Sequence, residues 1–105
     1  MAKEPDERPL KRLNRSLTTD NLWIYILSLL LKRKLHAYSI LEEMEKRFGW
    51  SPGLITPYVV MYKLEEDGFI KGSDSGRRRY YSITNKGREL LKRAKKELRE
   101  VADKL

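Results

Sequence analysis

The sequence predicts an α+β fold, mostly α: three helices, one β-hairpin and a long final helix. Three observations lead there. Apolar residues recur at helical spacing in three segments between about residues 21 and 68. A glycine-bounded stretch, GSDSG, then separates two short alternating runs. Last comes a charged segment carrying an unbroken 3-4 apolar repeat. At 105 residues the chain makes one domain with a modest core.

Residues 1–19 are expected to form an arm. Pro5 and Pro9 interrupt any early helix, although Leu10, Leu13 and Leu17 keep helical spacing. Thr19 or Asp20 is the candidate N-cap of a helix from about Asn21 to Lys32. Its LWIYILSLLL run is apolar almost all round. It must be buried on more than one side, and one of those sides is expected to meet a second chain. A second helix spans about His36 to Phe48, with Ala37, Ile40, Leu41, Met44 and Phe48 on one stripe and Gly49 ending it. The turn Ser51-Pro52-Gly53 leads to a third helix ending at Gly68. Either Thr56-Pro57 or Gly53 starts it, because a proline is tolerated throughout the first turn. Leu54, Pro57, Met61 and Leu64 should face inward, and Thr56, Val59, Tyr62 and Lys63 outward, with Tyr58 on the border. Phe69-Ile70-Lys71 and Arg77–Ile83 read as strands around a Gly72–Gly76 loop. Thr84 then caps a helix that runs to Leu105. This order is that of a winged helix-turn-helix domain over residues 20–84, followed by a dimerisation helix over residues 85–105.

Composition removes several functions. With no cysteine, disulfides and thiolate–metal sites are excluded, and one histidine, His36, leaves no basis for a zinc site or a His-based catalytic centre. No glycine-rich phosphate loop, nucleophile elbow or carboxylate pair suggests an enzyme. The apolar run Leu22–Leu31 is about half the length of a membrane span and is flanked by charge, so a cytoplasmic protein without a membrane partner is expected. No cofactor or metal is expected.

Charge placement points to a partner. Of the net charge of +8, residues 69–105 contribute +7 and residues 21–68 contribute nothing. A one-sided basic surface suits a polyanion. From Ser51 to Leu64 there is no acidic residue, whereas Glu65-Glu66-Asp67 close the third helix. Acids there oppose the helix dipole, yet the arrangement suits a helix whose N-terminal half enters a DNA groove. Thr56, Tyr58, Val59, Tyr62 and Lys63 are the candidate contacts on that helix, and Arg77, Arg78 and Arg79 those on the hairpin. On the last helix Thr84, Gly87, Leu91, Ala94, Leu98, Val101 and Leu105 form the repeat. With Leu22, Trp23 and Ile26 of the first apolar helix, Leu91, Ala94, Leu98, Val101 and Leu105 are the candidate homodimer interface.

These residues carry a resemblance. LHAYSILEEME, then Thr56 and Tyr58 followed by LEEDGFI, then GRRRYYSITNKGRELL, resemble the PadR family of winged-helix transcriptional regulators over about Leu27 to Leu91. The last segment is the most specific, with its arginines, paired tyrosines, capping Thr and a Gly three residues on. The resemblance implies a homodimeric repressor of double-stranded DNA. It also implies release by a small apolar effector; Trp23, on the over-apolar first helix, is expected either in the core or lining a pocket at the dimer interface, where such an effector would bind. It puts Thr56, Tyr58 and Lys63 at the DNA. Ala37 stands where the family has glycine and Pro57 where it has a helix former, and the chain resembles the short subgroup with one C-terminal helix. Two other readings of the same fold stay open: a nonspecific nucleic-acid-binding or chromatin-type protein, and a protein–protein adaptor.

Overall fold

The computed structural model describes residues 7–105, so Pro5 and the start of the arm lie outside the described residues. Five helices and three strands follow in order: α1 (Arg8–Leu17), α2 (Leu22–Leu30), β1 (Leu35–His36), α3 (Ala37–Phe48), α4 (Thr56–Glu66), β2 (Ile70–Ser75), β3 (Arg78–Ile83) and α5 (Asn85–Lys104). A 3₁₀ turn, Thr19–Asn21, joins α1 to α2. No described helix is long and apolar enough to cross a membrane.

α2 is the hub. Leu22, Ile26, Leu27, Leu29 and Leu30 are all buried, and α3, α4 and α5 pack around it. Its all-round apolarity is thus largely used within one chain, leaving Trp23 and Ile24 only partly covered. The predicted Thr19 or Asp20 cap is replaced by Asn21, which makes no side-chain capping bond because the 3₁₀ turn already leads the chain into the helix. α3 begins at its cap, His36, whose ring accepts the Ser39 N–H at 3.4 Å, and ends at Gly49 with φ +74°. That left-handed conformation favours glycine, and its N–H closes on the Glu45 carbonyl at 2.9 Å.

Three expectations change. Pro9 does not break α1 but stands in its first turn, where its missing N–H is not needed. α4 starts between the two predicted starts: Ile55 is the N-cap, one residue before Thr56 and two after Gly53, and Pro57, buried, is its second residue. Leu54 precedes the helix and is 76% exposed rather than inward. The hairpin also differs. Both strands are six residues long and pair from Ile70↔Ile83 to Ser75↔Arg78, so only Gly76 and Arg77 form the loop. Gly76 has φ +65°, as a two-residue hairpin loop requires at its first position. Leu35 and His36 add a third strand antiparallel to β3, giving the order β1-β3-β2.

Thr84 caps α5 as predicted. Its hydroxyl oxygen accepts the Gly87 N–H (3.1 Å) and its hydroxyl donates to the Gly68 carbonyl (2.7 Å), tying the helix to the end of α4. A Cβ on Gly87 would stand 2.1 Å from the Phe69 carbonyl oxygen and 2.9 Å from Ile83 Cγ1. Alanine in a helix interior is ordinarily favoured over glycine by up to about 1 kcal/mol. Here the clash reverses the sign, because the obstacle is backbone. Gly87→Ala should therefore destabilise by about 1–3 kcal/mol, a drop of several degrees in Tm. A melt showing an increase would contradict the close approach.

Gly87 and Leu91 lie in the same core as α2, so the start of α5 belongs to the domain. Beyond Ala94 the helix leaves it: Leu98 is 45%, Val101 56% and Leu105 fully exposed. The radius of gyration, 16.0 Å, exceeds the roughly 13 Å of a compact domain of this length, in keeping with an α1 that buries no residue and an α5 whose end is uncovered.

Candidate nucleic-acid interface

Helix α4 presents its site residues by period. Pro57, Met61 and Leu64 turn into the core. The opposite side is left to Thr56, Val59, Tyr62 and Lys63, exposed as predicted from spacing, and Tyr58, expected on the border, is exposed as well. Ile55, at the N-cap, adds a further exposed apolar side chain, and its carbonyl accepts the N–H groups of Tyr58 and Val59 (3.1 and 3.4 Å). Sequence reasoning missed Leu54 and Ile55, because nothing in the pattern tells an apolar loop residue that packs from one that does not.

The hairpin arginines divide three ways. Arg77 sits in the exposed tip. Arg78 lies next to α3, its Nη1 3.1 Å from His36 Nε2, and stays exposed. Arg79 turns back to α4: Nη2 donates to Glu65 Oε2 at 2.7 Å and Nη1 to Asp74 Oδ1 at 3.2 Å. These hydrogen bonds, Glu65 first, raise the Arg79 pKa above its ordinary value. Glu65 Oε2 also accepts the Gly72 N–H at 3.1 Å. A Cβ on Gly72 would stand 2.5 Å from the Arg79 guanidinium, so glycine makes room for it. Arg79 is engaged by two carboxylates and braces the hairpin against the recognition-type helix. It does not stand as an unpaired cation for a phosphate. Glu65, in the acid cluster that closes α4, is the other half of that brace.

On the far side, α1, α2 and the overhang of α5 enclose an open groove of about 770 Å³. Leu13, Leu17, Trp23, Ile24, Leu98 and Val101 line it, with Asn21 and Arg93 among its polar groups. Of the predicted interface residues, Trp23, Ala94, Leu98, Val101 and Leu105 face this groove. Leu22, Ile26 and Leu91 do not: each is no more than 1% exposed, being consumed by the chain's own core. α1 contributes no buried residue, and the Tyr25 hydroxyl, donating to the Leu17 carbonyl, fastens its end beside the groove. No group of three or more His, Cys, Asp or Glu among the described residues could hold a metal ion.

A three-helix unit with an exposed, acid-free half-helix beside a braced two-stranded hairpin defines a winged-helix domain. Its family follows from comparison. The model of the transcriptional regulator PadR-like family matches residues 26–93, and the chain belongs to that family. A transcriptional regulator from Clostridium thermocellum shares the fold with a TM-score of 0.77 at 24% identity, over 86% of this chain and 97% of that one. A PadR family transcription regulator from Clostridium difficile is similar at 28% identity and TM-score 0.67, over 77% and 90%. Bacillus subtilis PadR, solved in complex with operator DNA, is similar at 28% identity and TM-score 0.58 over 67% of this chain, which spans 44% of that protein's length.

Proposed function

We propose that this PadR-family regulator is a dimeric, sequence-specific DNA-binding repressor. One observation carries the reading: the exposed half of α4 has no acidic residue, and the Glu65–Arg79 pair fixes the same helix to the hairpin whose Arg77 and Arg78 stay exposed. In this reading Thr56, Tyr58, Val59, Tyr62 and Lys63 enter a major groove, while Arg77 and Arg78 take flanking phosphates or the adjacent minor groove. The operator-bound Bacillus PadR supports it. A second copy covers the apolar groove through Trp23, Ala94, Leu98, Val101 and Leu105. A two-fold dimer then carries two recognition helices and reads an inverted repeat with half-sites about 10–10.5 base pairs apart or a multiple of that. A small apolar effector held where the two copies meet at this groove would trigger release.

The test is duplex binding across a salt series. If the dimer makes about 6–10 phosphate contacts, log K against log salt falls with a slope of about −5 to −9. Arg78→Ala weakens binding by about 1 kcal/mol and lowers that slope by about one per subunit. A slope near zero would remove DNA from the function, and an inert Arg78→Ala would remove Arg78 from the contact surface.

A further inference from the structure

We infer that the recognition helix reads thymine methyl groups, through an apolar stripe formed by Ile55, Val59 and Tyr62 and extended by Leu54. The inference rests on the proposed DNA-binding function and names what that surface recognises.

The stripe is a matter of spacing. Ile55, Val59 and Tyr62 stand at i, i+4 and i+7, on one side of α4, and are 78%, 50% and 67% exposed. Leu54, 76% exposed, continues the patch past the helix start. Seven residues of helix rise about 10.5 Å, the height of roughly three base-pair steps at about 3.4 Å each. The stripe is long enough to span a few consecutive pairs.

Its chemistry selects the feature it can read. Guanine is recognised by Arg or Lys, adenine by the Asn or Gln amide, cytosine by a carboxylate, and thymine by apolar contact with its 5-methyl group. α4 carries no Asn, Gln or Arg, and its two glutamates and the following Asp67 come after the stripe, with exposed Glu66 at i+4 from Tyr62 marking where the apolar row ends. Glu65 is moreover held by Arg79. Thr56 and Lys63 are the flanking side chains left to make a polar contact with a base edge, apart from the two tyrosine hydroxyls. Four apolar side chains without a partner in their own chain are costly in water, and removing that surface against methyl groups is favourable. The occupant is nucleic acid rather than a protein surface because Lys63 stands one turn after Val59, no acid precedes Glu65 on the helix, and residues 69–105 carry a net charge of +7.

Replacing thymine by deoxyuridine deletes the methyl and leaves base pairing, charge and every other groove atom in place. The experiment starts from a random-sequence duplex library enriched by binding to the full chain. The enriched duplexes are then synthesised twice, with dTTP and with dUTP, and titrated in parallel. Affinity should fall about fourfold for each methyl group removed from the interface, from the transfer free energy of one methylene-sized group. A half-site with two or three such methyls should weaken by on the order of tenfold or more. Ile55→Ala and Val59→Ala, both at exposed positions, should bind the thymine duplex less well and shrink the ratio between the two duplexes. Equal binding of both duplexes by the wild type, or a ratio unchanged in both variants, would overturn methyl readout while leaving sequence-specific binding intact. A library that does not enrich overturns sequence-specific binding, and methyl readout with it.

Discussion

Leu98→Asp should give a folded monomer that has lost its operator. In one chain Leu98 is 45% exposed, so a carboxylate there remains solvated and the domain keeps its core of α2, α3, α4 and the start of α5. In the proposed dimer the same position lies in the groove beside Trp23, Ala94 and Val101. A carboxylate buried there costs several kcal/mol unless the chains separate. Each 1.4 kcal/mol is about tenfold in a dissociation constant, and the two-fold axis imposes the substitution twice. Separation is the lower free-energy outcome. A monomer carries one recognition helix and forfeits the gain of about 10²–10⁴ that two linked binding modules give. Sedimentation should show a single chain that still melts cooperatively, at a lower Tm than the dimer because stabilisation by association is lost, and a gel shift should show weak binding without preference for the enriched sequence. A variant that stays dimeric and protects the same footprint would move the interface elsewhere, with α1 and its exposed Leu10 as the next surface to test.

Val59→Glu should abolish binding to every duplex while leaving the protein folded and dimeric. Val59 is half exposed on the side of α4 opposite Met61 and Leu64, so the exchange disturbs little inside the chain. At a DNA surface it sets a carboxylate among phosphates. Like charges brought together across an interface cost several kcal/mol, again twice per dimer, which is roughly a hundredfold weakening or more. Selective and nonselective binding should fail together, because repulsion from the backbone is independent of sequence. Val59→Ala, removing only apolar area, should weaken binding far less. Wild-type affinity in Val59→Glu would show that another face meets the DNA, with the basic sides of α5 the alternative.

Much of this fold is legible in the chain itself. The α4 face can be read because helical periodicity is local: Pro57, Met61 and Leu64 share one side whatever surrounds them. The Thr84 cap, the Gly49 stop and the long apolar α2 are local signals as well, and the last 37 residues' excess of basic side chains is a property of composition. Strand β1 is not legible, because two residues have no period and Leu35-His36 becomes a strand only through pairing with Tyr81 and Tyr80. The hairpin loop is shorter than its sequence suggests for a related reason. Ser73, Asp74 and Ser75 have poor strand propensity, and the ladder to Arg78–Tyr80 overrides it.

The sequence by itself therefore determined the order of α2, α3, α4, hairpin and α5, the outward face of α4, the Gly49 stop, the Thr84 cap and the basic bias of the C-terminal third, each set by neighbours within a few residues. Tertiary structure alone decided how those pieces are used. Of three adjacent arginines, it turned Arg79 onto Glu65 and Asp74 and left Arg77 and Arg78 outside. It split one continuous apolar repeat on α5, sinking Gly87 and Leu91 into the core and leaving Leu98, Val101 and Leu105 uncovered. It also left Leu54 and Ile55 uncovered where the chain enters α4. The physical reason is the same each time. A side chain's chemistry is fixed by its type, but whether that chemistry is spent inside the chain or offered to a partner depends on the packing of residues far apart in sequence.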